Sequence, residues 1–231
     1  DESCTHNLAK YLVGREGYLT SRFRARDAKP RVALVATPAA MRSLVGLIQE
    51  HQFKREDIVV LGIVNGTDGP SAGIEPDIVV GRVANMPVAD GVPEIEEQIA
   101  MLEAMSPAER RAFWQREFSK CIRCYACRQV CPFCYCEVCI ADENQPQWIG
   151  TSPSLKNNTS WNVIRGFHLV GRCIDCGECD RVCPVNIPLR LLNVKMIAEV
   201  QEAFDYVAGT DVGVEPALVT FSVEDRNDNI R

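Results

Sequence analysis

Apolar positions along the chain fall into short runs and one-sided periods that alternate. Arg31 to Ala36 (RVALVA) is a compact apolar run of strand length; a second run spans Asp57 to Val64 and a third Asp77 to Val80. Between the first two, Thr37 is suited to cap a helix with Pro38 at its first position, and Met41 to Gln49 continues at helical spacing. The segment Asn65-Gly66-Thr67-Asp68-Gly69-Pro70 is dense in turn residues and separates the second run from the third. This order predicts a small parallel α/β layer. Pro93 opens another helical stretch, and Ser106-Pro107-Ala108-Glu109 is a capping box for a helix reaching about Lys120. Pro188 starts a last helix with Leu189, Leu192, Met196 and Val200 along one side.

The ends are less patterned. His6 to Val13 is one short helical candidate, and the basic residues Arg22, Arg24, Arg26 and Lys29 after it read as a solvated linker. From Gly209 onward no strong period remains, which predicts an extended tail, disordered or laid on a partner. The chain opens at Asp1 without a basic-then-apolar leader, and no targeting signal is read from it.

Composition changes this picture at one residue type. The chain has 231 residues, 46% hydrophobic and 24% charged, as in ordinary globular proteins, but it holds 12 cysteines. Eleven of them fall between Cys121 and Cys183. Disulfide frameworks spread their cysteines whereas metal sites concentrate them, so the clustering points to metal ligation and to a reducing, cytoplasmic compartment. The longest apolar stretch, Ile58 to Val64, is far short of the roughly 20 residues of a membrane span. A net charge of −6 argues against nucleic acid as a partner.

The spacing Cys121-x2-Cys124-x2-Cys127-x3-Cys131-Pro132 is repeated as Cys173-x2-Cys176-x2-Cys179-x3-Cys183-Pro184. Three thiolates two residues apart can wrap three irons of a cubane, while the fourth is carried on to the other cluster. One 4Fe-4S cluster is therefore assigned to Cys121, Cys124, Cys127 and Cys183, and a second to Cys173, Cys176, Cys179 and Cys131. Structural zinc, which favours two pairs of ligands, is the competing reading. Four cysteines are left over. Cys134, Cys136 and Cys139 follow directly on Cys131, and with remote Cys4 they could hold a third 4Fe-4S cluster; zinc or buried free thiols are the alternatives.

The stretches CIRCYACRQVCPFCYCEVC (121–139) and RCIDCGECDRVCPVNIP (172–188) resemble two-cluster iron–sulfur proteins related to the β-subunits of deazaflavin-reducing hydrogenases and formate dehydrogenases. The second stretch also resembles cluster subunits of the heterodisulfide-reductase type, and residues 31–66 are similar to the α/β module of the β-subunit group. The likeness spans residues 31–200. Where members of that group carry a cysteine and aspartate after the first strand and a cysteine after the second, this chain has Ala39-Ala40 and Asn65. The resemblance implies FAD as a cofactor, but no G-x-G-x-x-G is present, and Gly66, Gly69 and Gly73 read as a turn.

Other residues near the motifs are open to two readings. His168, five residues before Cys173 on an expected helix, could hydrogen-bond or ligate a cluster, or serve as an ordinary structural hydrogen-bonding residue. Arg123, Arg128, Arg172 and Arg181 could offset cluster charge or simply be solvated. Trp114, Trp148 and Trp161 read as packing residues around the clusters.

The expected fold is α+β, with an N-terminal segment (1–30), a small Rossmann-like α/β domain (31–118), a bacterial-ferredoxin-like dicluster domain (119–204, insertion about 142–165, closed by a C-terminal helix), and an extended tail (205–231). The expected function is a non-catalytic electron-transfer subunit of an anaerobic oxidoreductase complex, because no Ser/His/Asp set, phosphate loop or open metal site is recognisable. The resemblance implies as partner a hydrogenase, a formate dehydrogenase, a tungsten or molybdenum oxidoreductase, or a heterodisulfide-reductase-like subunit. The alternative is an FAD-dependent oxidoreductase of the same β-subunit type.

Overall fold

A computed structural model describes residues 6–14, 17–19, 31–65, 73–83, 92–219 and Val223. Strands β1 (Val32–Ala36), β2 (Ile58–Asn65) and β3 (Ile78–Val83) form a parallel sheet in the order β1-β2-β3, with Val32 opposite Ile58 and Leu61 opposite Ile78. Parallel neighbours need a crossover. Helix α1 (Pro38–Gln49) supplies it between β1 and β2, and Thr37 caps it by accepting from the Ala40 N–H at 3.3 Å. Its buried Met41, Leu44, Val45 and Leu47 pack with Leu34, Ala36, Ile58 and Val60 of the sheet. Asp77 ties the sheet at its far end, accepting from the Val60 N–H at 2.7 Å and from Arg55 at 2.9 Å.

Six further helices follow among the described residues: α2 (Val92–Ala104), α3 (Pro107–Ser119), α4 (Ala126–Val130), α5 (Leu155–His168), α6 (Glu178–Arg181) and α7 (Leu189–Phe204). The Ser106–Glu109 box is formed at the start of α3, with the Ser106 N–H donating to Glu109 Oε2 at 2.9 Å. Helix α5 occupies 14 residues, many of which the sequence pattern assigned to an insertion. Its buried side is Asn158, Trp161, Asn162, Arg165 and Gly166, so it carries little apolar period to find. At the N-terminus, the helical candidate is a short 3-10 turn, Leu8–Leu12, with Ala9 and Leu12 buried against α1 and β1.

The largest core runs from the α1–sheet interface into Phe133, Leu169, Ile174 and Val200, with Cys131, Cys134, Cys173 and Cys176 packed against it. Close approach explains Gly46 on α1, where a Cβ would stand 2.8 Å from the Phe133 ring. A second core of Phe118, Ile187 and Leu189 carries Cys121, Cys127, Cys179 and Cys183. The first part of the expected tail lies on the chain's own α1 rather than on a partner. Tyr206 and Ala208 are buried, Arg42 donates to the Ala208 carbonyl at 2.8 Å, and Gln49 donates to the Asp211 and Val214 carbonyls. Gly209 makes this possible: its φ is +76° and a Cβ would meet the Arg42 carbonyl. The rest of that tail, from Thr220 on except Val223, lies outside the described residues, as do Cys4 and the basic residues Arg22, Arg24, Arg26 and Lys29.

Candidate metal centre

The two cysteine motifs share one backbone. In Cys121-Ile122-Arg123-Cys124-Tyr125, residues Arg123 and Tyr125 have φ of +57° and +61°; in Cys173-Ile174-Asp175-Cys176-Gly177, the matching Asp175 and Gly177 have +57° and +70°. Three of these four are not glycine, and each such residue costs about 1–3 kcal/mol unless its surroundings hold it there. Left-handed residues in turns direct successive N–H groups into a concavity that suits anions. The N–H groups of Asp175 and Glu178 serve Cys173 and Cys176, that of Phe133 serves Cys131, and that of Ile187 reaches Cys183 Sγ at 3.3 Å. Each turn leads into a short helix, α4 or α6, which carries the third cysteine, and these two helices pack together.

Side-chain electrostatics sort the thiols into two groups. Cys127 lies in the field of Cys121, Cys124 and Cys183. Cys173 interacts with Cys176 and Cys131, Cys176 with Cys131, and Cys179 with Cys173 and Cys176. The fold thus brings Cys183 near Cys127 and Cys131 near Cys173 and Cys176, while Cys179 also packs in the core that carries Cys121, Cys127 and Cys183. Burial pushes Cys173 up to about 12 and Cys176 up to about 11, and raises Cys127 and Cys179 as well. Cys131 is instead lowered to about 6, chiefly by a hydrogen bond from Cys134, whose own thiol is raised by the same contact and by burial. Such interiors resist bare thiolates and favour neutral thiols, so the ionised form would be held there only by ligation to a cation, as iron would supply. No three side chains of Cys, His, Asp or Glu among the described residues stand close enough to hold one ion.

Polar side chains surround both groups. Asn193 of α7 donates to Cys179 Sγ at 3.7 Å, and Asn7 to Cys176. Asn158 of α5 donates to the carbonyls of Phe118 and Cys121 at 3.0 and 2.8 Å. Arg165 donates to the Cys127 carbonyl at 2.8 Å. Arg42 donates to the Ile174 carbonyl at 3.1 Å, and Arg190 grips Asp175 at 2.6 and 3.0 Å. None of these six residues was singled out from sequence. Asn158, Asn162 and Arg165 at helical spacing were the available signal, a polar stripe just before the second motif.

The residues that were singled out have varied placements. Arg123 is buried over the Trp161 ring at 4.8 Å and 3.8 Å from Asp142, which pins the insertion to the first motif. Arg172 grips Glu50 at the end of α1 at 2.5 and 2.7 Å. Arg128 stands 3.9 Å from Asp142, and Arg181 pairs with Glu178 at 2.5 Å. His168 is exposed at the end of α5 and takes part through its carbonyl, which accepts from Arg172. Trp161 and Trp114 pack as expected, but Trp148 is 77% exposed, because Asn144 anchors its backbone N–H and leaves the ring outside. Of the leftover cysteines, Cys134 packs into the large core, Cys139 packs with Trp161, and Cys136 is exposed. Cys4 and most of the Gly66–Gly73 loop lie outside the described residues.

Residues 117–187 match the family profile of the 4Fe-4S dicluster domain. The chain is 32% identical over 103 residues to the F420-dependent formate dehydrogenase subunit beta of Methanocaldococcus jannaschii, covering 45% of this chain and 27% of that protein. The chain is related to such β-subunits through an iron–sulfur dicluster domain. A second relative, F420-dependent formate dehydrogenase 1 subunit beta of Methanococcus maripaludis, is 32% identical over 105 residues, covering 46% of this chain and 26% of the relative. The chain thus spans about a quarter of the length of the curated relatives it matches. The dicluster domain begins inside α3 and ends at Ile187, so both repeated turns and both thiol groups lie within it. No helix among the described residues is long and apolar enough to cross a membrane.

Proposed function

We propose that this chain relays single electrons as the iron–sulfur subunit of a multi-subunit anaerobic oxidoreductase. The observation that carries the reading is the interleaving of the two thiol groups inside one dicluster domain. Cys121, Cys124, Cys127 and Cys183 would hold the first cluster; Cys173, Cys176, Cys179 and Cys131 would hold the second. When bound, each cubane supplies a one-electron couple. The chain's own residues supply the rest: N–H donors aimed at thiols, cations beside them, and burial that keeps water from most of the second group. In the first group Cys124 is exposed, which makes that edge the natural contact for a partner.

Several finer features belong to the same proposal. A third 4Fe-4S cluster on Cys134, Cys136 and Cys139, closed by Cys4, would extend the relay. The α/β part at 31–118 is read as a Rossmann-like domain attached to the dicluster domain at 119–204. The partner is a catalytic redox subunit, and the relatives' names favour a formate dehydrogenase over a hydrogenase, a tungsten or molybdenum oxidoreductase or a heterodisulfide-reductase-like enzyme. Iron and acid-labile sulfide per chain, measured on anaerobically purified protein, test the reading. About eight of each, twice the four-iron unit, is the expected result. About twelve adds the third cluster. Stoichiometric zinc with no sulfide overturns the relay.

A further inference from the structure

The cations near the thiols mostly have carboxylate partners. Arg190 is paired with Asp175, Arg172 with Glu50, Arg181 with Glu178, and Arg123 stands beside Asp142. Arg165 differs. It sits on α5 with 5% of its surface exposed, and among the described residues no carboxylate forms an ion pair with it. Its one recorded hydrogen bond runs from Nη2 to the Cys127 carbonyl, and its Nε is buried without a partner. A guanidinium stays charged inside a protein, and an uncompensated buried charge is costly. The groups that face it are sulfurs, Cys127 of the first set, Cys131 and Cys179 of the second, and Cys134, which would compensate its charge once ligation makes them thiolates.

We propose that Arg165 is a positioning residue shared by both clusters, a fixed buried cation between the two thiol sets that raises both reduction potentials together. This rests on the relay reading above. Each cluster with four thiolates is an anion that becomes more negative on reduction, so a cation close to both favours the added electron on either one. Burial keeps solvent from screening that attraction. The hydrogen bond to the Cys127 carbonyl fixes the guanidinium to α4, within electrostatic reach of Cys131 and Cys179 of the second set.

The test is redox titration of the anaerobically purified full chain, followed by electron paramagnetic resonance, for wild type, Arg165→Gln and Arg165→Lys. Iron and sulfide are counted on each. In Arg165→Gln both midpoint potentials should fall, each by a tenfold or larger change in the reduction equilibrium, about 59 mV for one electron. Arg165→Lys, which keeps the charge, should hold both potentials nearer to wild type. If the Gln variant takes up no clusters, the Lys variant decides: both potentials near wild type supports the proposal. In Arg165→Gln, unmoved potentials or movement of one alone overturn it. Failure of both variants to take up iron also overturns it, since the residue would then serve folding. A wild-type chain without two cubanes would instead sink the relay reading itself, and so is told apart from failure of this one.

Discussion

At the residue scale, the cysteines stand out in the sequence because their spacing is a local property of the chain, whereas the side chains that bond to them come from elsewhere. Asn193 lies on α7 and Asn7 ahead of a 3-10 turn, yet both donate to thiols of the second motif. Nothing in their own neighbourhood marks them. Asn193→Leu keeps the size and removes the donor to Cys179. A hydrogen bond to a charged sulfur is retained more strongly as negative charge grows, so its loss should lower the second cluster's potential by about 1 kcal/mol, roughly 40 mV. The first cluster should stay where it is. Potentiometric titration of that variant checks both halves of the expectation, and an equal shift of both clusters would count against a local donor.

At the element scale, helices announced by caps were legible. Thr37-Pro38 and the Ser106 box mark the starts of α1 and α3. Helix α5 was expected only around His168 at its end, because its inner face binds backbone carbonyls instead of apolar side chains; Asn158 and Arg165 spend their donors on Phe118, Cys121 and Cys127. The joint between α1 and the cysteine motifs was also hidden, since it links residues 122 positions apart. There Glu50 holds Arg172, just before Cys173, and accepts from the hydroxyl of Tyr135, just after Cys134, at 2.8 Å. Arg172 also lies over the Phe133 and Tyr135 rings at 5.8 and 5.3 Å. Replacing the carboxylate in Glu50→Gln leaves a half-buried guanidinium without its counter-charge. We expect a loss of about 1–2 kcal/mol, visible as a lower midpoint in anaerobic denaturant unfolding with an unchanged slope. Iron content should be unaffected, because no thiol is touched.

At the scale of the whole molecule, the repeat of the motif could be read from sequence, and its spacing implies an exchange of fourth ligands; the geometry adds that such an exchange would join two separate cores. Cys131 leaves α4 for the large core with Cys173 and Cys176, while Cys183 packs with Cys121 and Cys127 around Phe118. Ligation across that seam would make each cluster a staple between segments far apart in the chain, as metal sites couple binding to folding. The exchange yields a prediction that paired variants can check. Cys183→Ala should leave the same residual resonance signal as Cys121→Ala, each having lost the first cluster and about half the iron. Cys131→Ala should match Cys173→Ala in the same way. Because Cys134 lies against Cys131 and could replace it, the second comparison is best made with Cys131 and Cys134 both changed to Ala. Cys131 variants that instead match Cys121→Ala would mean that each motif holds its own cluster. The two halves would then be independent modules, and the seam between the cores would rest on packing and hydrogen bonds alone.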